Sequence, residues 1–197
     1  MNFHGAARPM QAEEIPAVAY ELGVDSGALR AVLAVESAGA GFDKSGRPKI
    51  LFERHIFYRL LKAQPDKQQA AVAVGLAYPK WGEKPYPKGS DAVYAELQAA
   101  MEIASSEALQ STSWGLGQIM GSNYKMVGCA SVEEMVAQAM ESEAAQLRQM
   151  ALFIKSSGLL DELQRKDWAA FARGYNGPGY AQNKYDEKLE AAYNKYA

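Results

Sequence analysis

The chain is 197 residues long, enough for one domain with its own core and too short for two full ones. Its formal net charge of −2 argues against a nucleic-acid binder. No apolar run approaches the roughly 18 residues that span a bilayer. A single cysteine, Cys129, excludes an intrachain disulfide, and with only His4 and His55 beside it neither a His/Cys zinc site nor another cofactor is expected.

The opening stretch Met1–Pro9 lacks the apolar core of a signal peptide, so export by that route is not expected. Residues 11–22 pattern as a helix closed by Gly23. A second helix starts from Asp25 as N-cap and stops at Gly39 or Gly41. In it Leu29, Val32, Leu33 and Glu36 fall at i, i+3, i+4 and i+7, one helical face. A carboxylate therefore ends the apolar stripe that points at the core. Burial disfavours its charged form and raises its pKa, which suits a general acid near neutral pH. The competing reading is an ordinary last-turn Glu, solvated or paired with a cation.

Ser45-Gly46 marks a turn and Ile50-Leu51-Phe52 a short strand, which predicts a small β-hairpin or sheet lobe over residues 39–53. His55–Leu61 returns to helix. Residues 64–90 carry Pro65, Pro79, Pro85 and Pro87 and predict one long irregular segment, either functional or disordered. Residues 43–88 hold ten Lys/Arg against four Asp/Glu, a balance of +6 that leaves −8 for the rest. Such a strip fits an anionic partner or a solvated loop equally well. A long helix follows from Asp91 to Leu109. Val132, Met135, Ala139, Leu147, Met150 and Ile154 predict a single buried helix of over twenty residues, its methionines filling the core. Trp168, Phe171 and Tyr175 mark a helix that stops at Asn176-Gly177-Pro178, and Tyr185, Leu189 and Tyr193 mark the last.

Four segments carry the chemistry: Val35-Glu36-Ser37; Ile50-Leu51-Phe52-Glu53-Arg54-His55; Ser113-Trp114-Gly115-Leu116-Gly117-Gln118-Ile119-Met120-Gly121; and Tyr175-Asn176-Gly177-Pro178-Gly179-Tyr180. In this order they resemble the N-acetylmuramidase family found in endolysins of phages of Gram-negative bacteria. More distantly they are similar to goose-type lysozymes and lytic transglycosylases. The resemblance runs over about residues 15–196. It implies a mainly α, lysozyme-like α+β fold in one catalytic domain over residues 1–197: a helical lobe, a small β-hairpin or sheet lobe and a cleft between them, with no separate cell-wall-binding module. It implies cleavage of the β-1,4 bond between N-acetylmuramic acid and N-acetylglucosamine in peptidoglycan, with Glu36 matching the family's catalytic acid. The implied partner is the peptidoglycan glycan strand, met by a monomer that takes no nucleic acid. A protein of this kind is made in the host cytoplasm and reaches the periplasmic wall through a holin or a secretion machine.

Glycoside cleavage commonly uses a second carboxylate, about 5–5.5 Å from the acid in retaining enzymes and about 6.5–9.5 Å in inverting ones. The first candidate is Glu53, after the short strand, with Asp43 behind it; the alternative for Glu53 is an ion pair with Arg54, Arg47 or another cation that braces the β lobe. Ser37, Ser113, Gln118, Tyr124, Tyr175 and Asn176 form the expected substrate-binding set. For several of these a structural reading stands alongside. Ser37 suits a local cap, Gly115 and Gly117 suit tight packing as well as a nearby sugar ring, and Tyr175 shares a core face while its hydroxyl reaches toward the acid. Gln118 suits an acetamido group or a contact to Glu36. Trp81 and Tyr86 either stack on sugars or pin their loop. A serine hydrolase is not expected, because His55 has no orienting acid beyond Glu53. The enzyme alternative is a lytic transglycosylase; outside enzymes, it is a non-catalytic glycan-binding module.

Overall fold

The computed structural model describes residues 2–37 and 39–196. Helix α1 (Glu14–Leu22) ends as expected on Gly23, whose φ of 68° is the left-handed turn that a Cβ disfavours. Helix α2 (Ser26–Glu36) starts where the Asp25 carboxylate accepts from the Gly27 and Ala28 amides at 2.6 and 3.2 Å. It stops before either expected glycine: Glu36 is its last residue, and Ser37 turns extended with ψ 136°. Leu29 and Val32 are fully buried and Leu33 packs half-buried beside them, so the stripe leading to Glu36 faces the core as its spacing requires.

The β lobe is built differently from the expected hairpin. Phe42 and Pro48 do bridge across the Asp43–Arg47 turn. Strand β1 (Ile50–Phe52), however, pairs antiparallel with β2 (Thr112–Trp114), which pairs in turn with β3 (Ile119–Met120). The register sets Ile50 opposite Trp114 and Phe52 opposite Thr112. As the middle strand, β2 is buried at all three residues and shows no period-two alternation, which hid it in the sequence.

Helix α3 (Arg54–Leu60) falls where expected. The segment after it does not, since Pro65 opens helix α4 (Pro65–Ala73). A proline at the first helical position costs nothing, because the N–H it lacks has no helical partner there; only residues 74–89 stay irregular. Helix α5 (Ser90–Gln110) kinks at Ala104, where φ is −156°.

The single long helix expected over residues 132–154 is two, α6 (Val132–Glu141) and α7 (Glu143–Ser156). Ser142 breaks it, lying extended and accepting from the Ala145 amide at 3.1 Å as the cap of α7. An N-terminal strap fills the break. The Arg8 amide donates to Glu141 O at 3.0 Å, and the Glu143 amide donates to Arg8 O at 2.9 Å. The strap anchors through Phe3, buried against the rings of Tyr94 and Trp114 at 5.0 and 5.8 Å. Met135 and Met150 are fully buried, as the spacing predicts. Helix α8 (Leu160–Arg165) is too short to register as a periodicity. Helices α9 (Trp168–Asn176) and α10 (Tyr185–Tyr196) follow, and α10 packs along both α2 and α9, backing the helix that carries Glu36. Among the described residues no helix is long and apolar enough to cross a membrane.

Candidate active site

The end of α2 and the end of α9 meet at one carboxylate. Asn176 Nδ2 donates to both oxygens of Glu36, at 3.0 and 3.2 Å. Burial pushes the Glu36 carboxyl above its ordinary value; the Asn176 hydrogen bond and the charge of Lys188 oppose that push without cancelling it. Tyr175, one residue earlier, stacks on Phe171 at 5.5 Å and donates weakly to Gly117 O at 3.4 Å. Burial and then the nearby Glu36 charge raise its phenol, so it stays a proton donor.

Glu36 looks into a cleft of about 510 Å³ between the lobes. Ile50 and Leu51 of β1, the Gly115–Gln118 turn and Val93 of α5 form its other walls. The turn is held in an unusual shape. Gly115 has φ 66°, the Gln118 amide closes onto Gly115 O at 3.2 Å, and Gln118 itself sits at φ 47°, a region that non-glycine residues rarely adopt. Its side chain supports it there: Nε2 donates to Gly115 O at 2.9 Å and Lys49 O at 3.2 Å, and Oε1 accepts from Ser113 Oγ at 2.8 Å. Gln118 therefore forms the cleft wall with both amide hydrogens engaged, and Ser113 stands behind it. Strained backbone of this kind persists only where surrounding contacts over-determine it.

Two residues that sequence reasoning missed brace this turn and the loop that faces it. Gln146, buried on α7, accepts from the Leu116 amide at 2.8 Å and donates to Ala139 O at 2.8 Å and Gly41 O at 3.5 Å. A Cβ on Gly115 would lie 2.5 Å from Gln146 Cδ, which is why that turn needs a glycine. Glu143, at the head of α7, accepts from the Gly41 amide at 2.6 Å and from the Met10 amide of the strap at 2.8 Å. One turn of α7 thus fixes both the loop after Glu36 and the turn opposite it. The signal was present in the sequence: Gln146 lies four residues before Met150 on an apolar stripe, the same anomaly that singled out Glu36.

Asp43 lines the cleft from the β-lobe turn. It accepts from the Ser45 and Arg47 amides at 2.8 and 3.0 Å, from Arg47 Nε at 2.9 Å, and from Ser90 Oγ. Burial acts to raise its carboxyl, but the bonds from Ser90, Arg47 and Ser45 outweigh it and hold the group below the usual range.

Glu53 is not one of the residues that line this cleft; it stands at the N-cap of α3. Its Oε2 accepts from the Tyr86 hydroxyl at 2.5 Å and lies 3.3 Å from His55 Nδ1. Neither arginine pairs with it: Arg54 bonds Glu96 at 2.6 Å, and Arg47 bonds Asp43 and Asp91. Burial and then the bond to Glu53 push the Tyr86 phenol up to about 12. Tyr86 pins the proline-rich loop, while Trp81 stands 71% exposed. Ser37 faces a separate hollow with Ile15, Arg30 and Tyr196. Tyr124 packs half-buried on the core, with Lys125 Nζ 5.7 Å from its ring centre. Of the expected set, Glu36, Gln118, Tyr175 and Asn176 come together with Ser113 behind them.

The N-acetylmuramidase family model (Muramidase) matches residues 25–197. No curated protein matches the chain. Among solved structures, the crystal structure of the Burkholderia AP3 phage endolysin is similar over 96% of this chain and 72% of that one, with 44% sequence identity and a TM-score of 0.88. The expected lysozyme-like, mainly α fold with its small three-stranded sheet agrees with that likeness.

Proposed function

Because this chain belongs to the N-acetylmuramidase family, we propose that it cleaves the β-1,4 bond between N-acetylmuramic acid and N-acetylglucosamine with Glu36 as general acid. The family and the endolysin likeness support a peptidoglycan-hydrolysing muramidase. The observation that carries the assignment of the acid is the Glu36–Asn176 contact at the cleft. Burial keeps the carboxyl protonated to higher pH than a free glutamic acid. Asn176 holds it in one orientation and stabilises the carboxylate left behind once the proton is gone. In this reading Glu36 protonates the glycosidic oxygen, the bond from muramic C1 to that oxygen breaks, N-acetylglucosamine departs with a free 4-hydroxyl, and water supplies the new hydroxyl at C1 while its other proton is released and Glu36 is reprotonated. The protein works as a monomer on periplasmic peptidoglycan, released through a holin or a secretion machine.

A second reading has its own support. Asp43 is held by Arg47, Ser45 and Ser90, and Glu53 by Tyr86, so among the described residues each candidate second carboxylate already has partners. A lytic transglycosylase needs no second carboxylate: Glu36, once deprotonated, accepts the proton of the muramoyl 6-hydroxyl as that oxygen attacks C1. Mass spectrometry of digested peptidoglycan separates the two. Reducing ends are expected, and 1,6-anhydromuramic ends in their place would sink the hydrolase reading. Glu36→Gln tests the acid itself. A variant that releases soluble fragments as fast as the parent would return Glu36 to a structural role, whereas a parent that binds peptidoglycan without releasing fragments would be a binding module.

A further inference from the structure

Beside the Glu36 cleft lies a second groove of about 510 Å³, lined by the Asp43–Arg47 turn, Lys49, Ser90 and Asp91. Asp43, Lys49 and Ser90 line both hollows, so the two adjoin across these residues. Their chemistry differs sharply. The cleft wall is mainly aliphatic side chains and glycine, which suits the faces of sugar rings. The groove carries three cations, Lys44, Arg47 and Lys49, against two carboxylates, Asp43 and Asp91. A glycan backbone of amide-capped sugars has no charge for such a surface to recognise. Peptidoglycan does carry charge, on the short peptide stem attached to every muramic acid, whose side-chain-linked acidic residues present free carboxylates.

Resting on the peptidoglycan reading above, we propose that this groove is the binding site for the acidic peptide stem of the substrate. Arg47 is the centre of the site. Asp43, only 8% exposed, holds its guanidinium from beneath at 2.8–2.9 Å, and its carbon lies 4.4 Å from the Tyr94 ring centre, so the planar fork is set before any ligand arrives. The same Nη2 that reaches Asp43 at 2.8 Å also bonds Asp91 at 2.5 Å on its solvent side, and Asp91 is 93% exposed. An exposed carboxylate on a preformed arginine is an exchangeable partner, worth little in water, and a stem carboxylate replaces it on Nη2. Lys44 is exposed beside it, with no hydrogen-bond or ion-pair partner among the described residues, and adds a second positive contact.

The test compares soluble glycan strands bearing tetrapeptide stems with the same strands stripped by an amidase, measuring kcat/KM for the parent, Lys44→Glu and Asp91→Asn. On stem-bearing strands Lys44→Glu is expected to lower kcat/KM about threefold to tenfold, as for loss and reversal of one partly exposed charge contact. Asp91→Asn is expected to raise it by about twofold to threefold by freeing Arg47. On stripped strands both variants stay within about twofold of the parent, and 0.5 M salt flattens the differences. Opposite signs from two neighbouring residues, on one substrate only, are not what a folding defect produces. Equal effects on both strand types, or no effect on either, overturn the stem site while leaving the hydrolase reading intact. A parent that releases nothing from either strand overturns the hydrolase reading, and the stem site with it.

Discussion

Two carboxylates face the same cleft from opposite lobes, and the chain treats them in opposite ways. Glu36 ends a helix in apolar surroundings and receives one amide group from Asn176, so burial dominates and its pKa rises. Asp43 sits in a turn and collects two backbone amides, a guanidinium and a hydroxyl, so hydrogen bonding dominates and its pKa falls. Both groups are largely removed from water; the number of donors decides which way each one moves. The helical wall keeps an acid that can give up a proton, and the β wall keeps a permanent anion whose work is to hold Arg47.

Glu36→Gln should break this contrast most severely. If Glu36 acts as proposed, its loss is expected to cost about 10²–10⁴-fold in kcat, read from release of reducing ends. Its stability should move the other way. A carboxyl whose folded pKa lies above its unfolded value contributes stability that is complete below the unfolded pKa and is lost as pH rises through the folded one. The parent thus carries a penalty at pH 7 that Glu36→Gln lacks. Thermal melts should find the variant more stable at pH 7, with the gap closing below pH 4.5, the unperturbed value. A variant less stable than the parent at pH 7 would mean that Glu36 is ionised and satisfied in the fold.

The support behind the walls is the next thing to break. Gln146→Ala leaves the Leu116 amide buried without an acceptor and opens space beneath Gly115, with an expected loss of about 1–3 kcal/mol in urea titrations. Because the damage reaches the turn and the Gly41 loop together, kcat should fall along with stability even well below the melting temperature. A variant that loses stability but keeps full kcat would remove Gln146 from the positioning of the cleft.

These supports also show what was legible in the sequence. The inward-facing position of Glu36, the helix cap at Asp25 and the helix end at Asn176 were readable, because each depends on residues close together in the chain: a periodic stripe, a cap, a helix stop. What was not readable depends on pairings across long separations. Strand β2 pairs with residues about sixty positions earlier and has no alternation of its own. The break at Ser142 is stabilised by the strap at Arg8, more than 130 residues away in sequence. Gln146 stands out on the apolar stripe of α7, but its partners at Leu116 and Gly41 lie far off in sequence, as does the Met10 partner of Glu143. The hydrogen bonds of Glu53 were hidden for the same reason: Tyr86 reaches it from a loop whose path no local pattern specifies.

On the β wall the effects should be smaller and opposite in pH dependence. Asp43 has its folded pKa below 3.8, so its stabilising contribution is present above that value and disappears as pH falls through the depressed one. Asp43→Asn should cost about 1.5–3 kcal/mol at pH 7, the range for hydrogen bonds to a charged group. The loss should vanish in acid, where Glu36→Gln also converges on the parent but from the more stable side. If the Asp43→Asn penalty persists unchanged to low pH, packing rather than charge makes that turn.

Glu53→Gln should have the smallest effect and places the third carboxylate in the comparison. Its side chain accepts from Tyr86 at 2.5 Å and sits beside His55, and it is not one of the residues that line the cleft with Glu36. The amide can still accept from Tyr86, but without the charge that pushes that phenol up. Spectrophotometric titration should then find one tyrosine ionising at lower pH than in the parent. Limited proteolysis should cut more readily within residues 78–88, where Tyr86 and the Arg54 contacts to Lys84 O and Pro85 O hold the loop. Turnover should stay within about tenfold of the parent, because the side chain is engaged with Tyr86 and His55 rather than with Glu36. A loss of 10² or more, on the scale of a missing general acid or base, would instead mean that Glu53 moves to the glycan during catalysis, and it would give the acid at Glu36 a second carboxylate from the head of α3.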